Sequence, residues 1–255
     1  MPELTHQLER TLTIEATRAT VFRFFTDSAR WAAWWGAGSE IDARPGGRVL
    51  IRYPNGVQVF GEVLEIAEPD RIVFTYGYES GKPIPPGASR VTIHLETVES
   101  GTRLHLAHAF EEADVRDQHI QGWRFQLSLF ANLVADEVNA GAAGLADAWF
   151  AAWCISDGAR RAQSLEAIAS PDIRFRDRYA RIDGLAELSD HIAASLRFMP
   201  GFVLERKDAV RHCQNTLLAG WVARGPDGAE GMSGVSVFVL DARGRIASVT
   251  GFRNQ

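Results

Sequence analysis

The period at which apolar residues recur along this chain switches back and forth between two and about 3.6, and the order of those switches leaves few architectures open. Over residues 8–16 the set Leu8, Arg10, Leu12, Ile14 and Ala16 shares one face, with Glu9, Thr11, Thr13 and Glu15 on the other, the alternation of a strand. Thr17 or Thr20 is placed to cap a short helix through Val21, Phe22 and Phe25, and Asp27 or Ser28 a second one carrying Trp31, Trp34 and Trp35. The period of two then returns between turn signals. Ile72, Phe74, Tyr76 and Tyr78 form one face, Val91, Ile93 and Leu95 another, and Leu104, Leu106, His108 and Phe110 a third. These predict antiparallel meander strands with one buried side. After Glu111-Glu112 the spacing turns helical: Ile120, Trp123, Leu127, Phe130, Val134 and Val138 make one stripe. A helix of that length can lie across the concave side of the sheet.

Residues 139–144 read as a short linker of small residues, and beyond them the order reverses. Leu145, Trp149 and Trp153 align on a helix, a second helix is expected near 160–168, a strand near 173–176, and a third helix bearing Leu185, Leu188, Ile192 and Leu196 after Gly184. Four strands are predicted at 202–211, 216–224, 231–241 and 245–252, with Pro226-Asp227-Gly228 and Ala242-Arg243-Gly244 as hairpin turns. The expectation is therefore α+β in two domains, 1–140 and 144–255. The first is a strand, two small helices, a meander and a long closing helix; the second has helices first and then a curled antiparallel sheet.

Composition sets outer limits. Hydrophobic residues make up 46% and charged residues 23%, enough apolar material for real cores. A formal net charge of −5 argues against a general nucleic-acid binder, which needs excess cations to displace counterions. Every apolar run is broken by charge well before the ~20 residues that span a bilayer. Met1 to His6 lacks the basic start and apolar run of a secretory signal, so a cytoplasmic protein with no membrane partner is expected. Cys154 and Cys213 stand far apart in no metal-like spacing and read as reduced, buried thiols. No cofactor or metal signature is present: His105 and His108 point to opposite faces of one strand, and the glycine-rich turns lack the strand–loop–helix context of a phosphate cradle.

Particular residues carry two family resemblances. Ile14-Glu15-Ala16, Val21-Phe22, Thr26-Asp27, Trp31 with Trp34-Trp35, Gly46-Gly47, Gly61, Glu65-Ile66, Pro69 and Arg71-Ile72 stand in an order that continues through Thr102, Leu104, Leu106, His108 and Gly122-Trp123. Over roughly residues 5–140 this resembles the START-like superfamily, in the branch named after activators of a heat-shock chaperone ATPase. Trp149, Trp153, Pro171-Asp172, Asp177, Gly184, His191, Trp221, Gly228, Gly234, Gly244-Arg245-Ile246 and Gly251-Phe252 make residues 144–253 similar to the SnoaL-like, nuclear-transport-factor-like cone fold. The resemblances imply a helix-grip domain followed by a cone-shaped α+β barrel, each a sheet curled around a pocket for a small apolar or aromatic ligand. The second also implies a homodimer through the convex side of its sheet. Neither implies a reaction.

Candidate polar groups follow. In the first half His108 shares a strand face with Leu106 and Phe110, Tyr76 offers a hydroxyl, and Trp123 forms the opposite wall; the alternative for His108 is a core histidine bonded to backbone. In the second half Asp177 and His191 are the candidate catalytic residues, with Tyr179, Trp221, Ser236 and Phe238 as ligand-binding ones. The alternatives are a loop cap or solvent-side ion pair for Asp177-Arg178, and a satisfied structural histidine for His191. Where SnoaL-like proteins often carry Gly-x-Asp, this chain has Gly234-Val235-Ser236, and serine cannot abstract a carbon-bound proton unaided. The arginine-rich stretches at 160–161 and 174–178 read as solvated faces, the second also able to line a binding surface. The leading expectation is a small-molecule-binding protein with two pockets. The rivals are an isomerase, cyclase or hydrolase acting on a polyketide- or terpenoid-like substrate in the C-terminal pocket, and a chaperone ATPase co-activator.

Overall fold

A computed structural model describes residues 3–254; Met1, Pro2 and Gln255 lie outside the described residues, and with them the first two positions of the N-terminal reading. The chain divides into two compact units, the first ending at Ala135 and the second beginning at Asp136.

The first unit runs β1 (His6–Ile14), α1 (Arg18–Arg23), α2 (Ser28–Trp35), β2 (Glu40–Ile41), β3 (Arg48–Arg52), β4 (Gln58–Ala67), β5 (Arg71–Tyr76), β6 (Ser89–Val98), β7 (Gly101–Phe110), α3 (Ala113–Gln118) and α4 (Ile120–Val138). Its seven strands lie in the order β1-β7-β6-β5-β4-β3-β2, antiparallel throughout. Of the alternative caps, Thr17 starts α1 by accepting the Thr20 amide, and Asp27 starts α2 by accepting that of Arg30. Trp123, Leu127, Phe130 and Val134 of the α4 stripe are buried. Phe130 stacks on Phe25 and meets Trp34 edge-on, so helix and α1–α2 pair share one aromatic core. The buried indoles of this core are also hydrogen-bonded: Trp31 Nε1 donates to Leu50 O and Trp34 Nε1 to Phe24 O. The short α3, ended by His119, was not predicted from the spacing.

The second unit runs α5 (Ala142–Ala152), α6 (Gly158–Ile168), β8 (Ala169–Arg176), β9 (Arg181–Asp183), α7 (Leu185–Phe198), β10 (Val203–Arg206), β11 (Arg211–Cys213), β12 (Thr216–Arg224), β13 (Glu230–Leu240) and β14 (Ile246–Arg253). The sheet order is β10-β12-β13-β14-β8-β9, with β11 beside β12 and only β14–β8 parallel. Gly228 and Gly244, both at positive φ, close the two expected hairpins.

Four expectations are corrected here. Ala142, Ala143 and Gly144 belong to α5 rather than a linker, and Asn139 is buried, bonded to Asn215. The strand expected at 202–211 is two, β10 and β11, with residues 207–210 between them and Arg206 Nη1 donating to Asp208 O at the break. Both cysteines are free, but Cys213 is exposed and Cys154 half-buried. Arg161 is not on a solvated face; it is buried, with Nε donating to Ser189 and Nη1 to the carbonyls of Ile155 and Ser156. Those carbonyls replace the water that its pattern seemed to require. No helix among the described residues is long and apolar enough to cross a membrane.

Candidate functional site

Each unit gathers polar groups inside an apolar interior, in different ways. In the first, strand pairing sets Tyr76 opposite Ser89 and Val91 opposite His108, while α4 brings Trp123 over β7. Trp123 Nε1 donates to His108 Nδ1 at 3.0 Å. That nitrogen must therefore hold a lone pair, so Nε2 carries the proton and donates to Ser89 Oγ at 2.8 Å; Ser89 in turn donates to Tyr76 O at 2.7 Å. His108 is fully buried, and desolvation, with the nearby His119 ring second, holds its pKa well below the usual histidine value.

The same reasoning orients a second chain. His119 Nδ1 faces Val115 O at 2.7 Å, an acceptor only, so Nδ1 is protonated and Nε2 accepts from Tyr78 OH at 3.1 Å. Tyr78 then accepts from Tyr76 at 3.3 Å, and Tyr76 from Tyr53 at 3.0 Å. Every proton runs one way, from Tyr53 toward His119. Burial lowers the His119 pKa and raises those of Tyr53 and Tyr76, which holds these three neutral. The Trp35 indole, 5.8 Å from the Tyr53 ring between centroids, is buried with no partner for Nε1 among the described residues.

In the second unit the strand register stacks the inner face of the sheet in three rungs. Leu217, Phe238 and Val249 stand side by side with Phe175 next to them, a rung of large side chains. Phe238, with no exposed surface, meets Trp149 and Phe150 edge-on. The next rung is Ala219, Ser236 and Gly251, with the Asp177 Cβ beside Gly251. The third is Trp221, Gly234 and Arg253. The middle rung carries only small side chains; it is covered at Ala219 and Ser236 and opens at Gly251, where the hollow meets a groove at the strand ends. Gly234 is required there: a Cβ at that position would overlap Phe252 O and the Trp221 ring.

Helices supply the facing wall. Trp153, at the end of α5, lies 5.3 Å from Phe175 and 5.8 Å from His191 between ring centroids; His191 lies 5.9 Å from Phe175. Trp153 Nε1 is buried with no hydrogen-bond partner, and neither the His191 ring nor the Ser236 hydroxyl has one among the described residues. At the ends of these strands opens a groove of about 540 Å³, lined by Arg176, Asp177, Arg178, Gly251, Phe252 and Arg253 among others.

The expected residues thus fall into distinct groups. Tyr76, His108 and Trp123 are brought together, but their polar atoms are already taken: His108 by Trp123 and Ser89, leaving neither ring nitrogen free, and the Tyr76 hydroxyl by Tyr53 and Tyr78. His191, Trp221 and Ser236 face the inner side of the second sheet, whereas Phe238 belongs to its core. Asp177 accepts the amides of Tyr179 and Ala180 through one carboxylate oxygen, both at 2.7 Å, and so caps the β8–β9 turn. Tyr179 is 70% exposed. Sequence reading missed Tyr53, Ser89 and His119 as polar partners, and Trp153 as more than a helix-stripe residue. Among the described residues no cluster of histidine, cysteine or carboxylate side chains could hold a metal.

Comparison with known proteins agrees with this division. Residues 15–135 match the family model of the activator of Hsp90 ATPase homolog 1-like proteins, and residues 146–249 match that of the SnoaL-like domain. No curated protein matches the chain. Among solved structures, a SnoaL-like family protein from Agrobacterium tumefaciens strain C58 is 25% identical, covering 44% of this chain and 96% of its own, with a TM-score of 0.43. Protein MLL2253 from Mesorhizobium loti is 18% identical over 52% of this chain and 98% of its own, with a TM-score of 0.45. Protein Ms6760 from Mycobacterium smegmatis is 23% identical over 52% and 91%, with a TM-score of 0.43.

Proposed function

We propose, from the premise that this chain joins a START-like half to a SnoaL-like half, that it is a small-molecule-binding protein whose principal receptor is the hollow over the middle rung of the second unit. One observation carries the reading: Trp153 presents a buried N–H, unpartnered among the described residues, beside the rings of His191 and Phe175. A buried donor without a partner costs roughly 1–3 kcal/mol, a cost that a ligand acceptor would remove. Aromatic walls with a few convergent polar groups are the usual make-up of a site for an apolar body with one oriented polar end. In the first unit, the unpartnered Trp35 N–H and the Tyr53 oxygen, which accepts nothing from its own chain of hydroxyls, support a smaller second site.

The test is native mass spectrometry of the protein as purified, paired with the variant Gly251→Leu. A Cβ at Gly251 would meet Asp177 Cβ at 3.5 Å, ordinary contact, so the variant should fold while its side chain fills the hollow. The expected result is an adduct mass on the parent chain that the variant lacks. An adduct retained in full by the variant would refute the assignment.

A second reading, an enzyme acting on that ligand, is favoured by the placement of Asp177 and His191. Both flank Phe175, one along β8 and one across the hollow. Asp177→Asn keeps a carbonyl oxygen for the two turn amides while removing the charge. Under this reading it abolishes turnover of the recovered molecule with affinity kept; an unchanged rate removes Asp177 from catalysis.

A further inference from the structure

We propose that the mouth of the second unit's hollow binds the negatively charged head of an amphipathic organic acid, carboxylate or phosphate, through Arg178 and Arg253; this rests on the ligand reading above. The protein as a whole is acidic, yet its groove of about 540 Å³ gathers three arginines against one aspartate. Arg176 is committed elsewhere, donating to Phe175 O, Ile182 O and Asp183. The other two are not. Arg178 lies 6.0 Å from the Tyr179 ring centroid, and Arg253 Nη1 is 3.5 Å from the hydroxyl of the same tyrosine. Neither has a carboxylate partner among the described residues, whereas Arg176, Arg206, Arg224 and Arg245 of this unit each pair with one. The groove's own acid is turned aside, since Asp177 Oδ1 is held by the amides of Tyr179 and Ala180.

Position gives these cations their meaning. Arg253 stands opposite Gly234, which stands opposite Trp221, so it ends the file of inner-face residues that lines the hollow. A molecule seated at Gly251 with its apolar body toward Trp221 would bring its outer end to this rim, two residues on along β14. Two guanidiniums, each a rigid fork of donors, suit the oxygens of a carboxylate or phosphate. The exposed Tyr179 ring lies beside both guanidiniums. An uncharged ligand would leave both cations without a counter-charge; an acid completes them.

The full-length chain is titrated with two fluorescent probes of the same body, 8-anilinonaphthalene-1-sulfonate and the neutral N-phenyl-1-naphthylamine. The parent protein is expected to bind the sulfonate more tightly, and added salt to narrow the gap. Replacing Arg178→Gln together with Arg253→Gln should weaken the sulfonate roughly tenfold while leaving the neutral probe unchanged. If the neutral probe binds and is blocked by Gly251→Leu, but the sulfonate shows no preference or ignores the arginine pair, the rim proposal fails and the hollow stands. Where neither probe saturates, or Gly251→Leu affects neither, both readings fail.

Discussion

Acidification probes the hydrogen-bond orientation around His108 through a measurable loss of stability. In the folded chain, Nδ1 accepts from Trp123 and Nε2 donates to Ser89, so a second proton would set two donors against each other in a site sealed from water. Burial, with the nearby His119 ring second, thus holds the folded-state pKa well below the usual histidine value. Unfolded chains bind the extra proton where the native state does not. Stability is then complete above about pH 6.5 and is lost as the pH falls toward the folded pKa. Between about pH 6.5 and 5.5 a free histidine takes up about 0.7 of a proton on average, which costs the native state about 1 kcal/mol for His108. His119 is depressed in the same direction and adds at most the same again. The perturbation is His108→Gln, whose amide can accept from Trp123 and donate to Ser89 without titrating. Urea titrations of the full chain, read by pulse-labelled hydrogen exchange on β6 and β7, report unfolding of the first unit alone. The variant should lose about 1 kcal/mol less than the parent over that interval. Equal losses in the two proteins would refute the neutral, two-bonded histidine.

Three further outcomes follow from contacts already described. Trp123→Phe strands His108 Nδ1 without a donor and should destabilise the first unit by about 1–3 kcal/mol in the same urea assay. Arg161→Met keeps the buried stem but unsatisfies the carbonyls of Ile155, Ser156 and Ser189; a loss of about 2–4 kcal/mol is expected in thermal unfolding of the second unit, against near-neutrality had the side chain been solvated. Gly234→Ala drives a methyl into Phe252 O and the Trp221 ring, so it should cost about 1–3 kcal/mol and displace that indole, seen as changed tryptophan emission and weakened N-phenyl-1-naphthylamine binding.

What the sequence determined by itself was local. Period-two and period-3.6 patterns produced β5–β7 and α4 because alternation and helical spacing act over neighbouring residues. Thr17 and Asp27 cap α1 and α2 because a side-chain oxygen meets an amide three residues on. Gly228 and Gly244 close their hairpins for the same short-range reason. Where competing interactions came from afar, local reading failed: Arg161 sits among carbonyls from two other segments, and Arg206, at the end of β10, is held by Asp147 of α5.

The sites belong wholly to tertiary structure. Ala219, Ser236 and Gly251 are unremarkable residues on three strands, and they become the middle rung of a hollow only through the register of β12, β13 and β14. Tyr53, Tyr76, Tyr78 and His119 line up from β3's end, β5, the following loop and the α3–α4 junction, so no spacing along the chain announces them. Hydrogen-bond direction, burial and the pKa shifts that follow are properties of groups brought together across a sheet or beneath a helix. Linear order carries the propensity for each element; which side chains meet, and which donors are left waiting for a partner, is decided by how the elements pack.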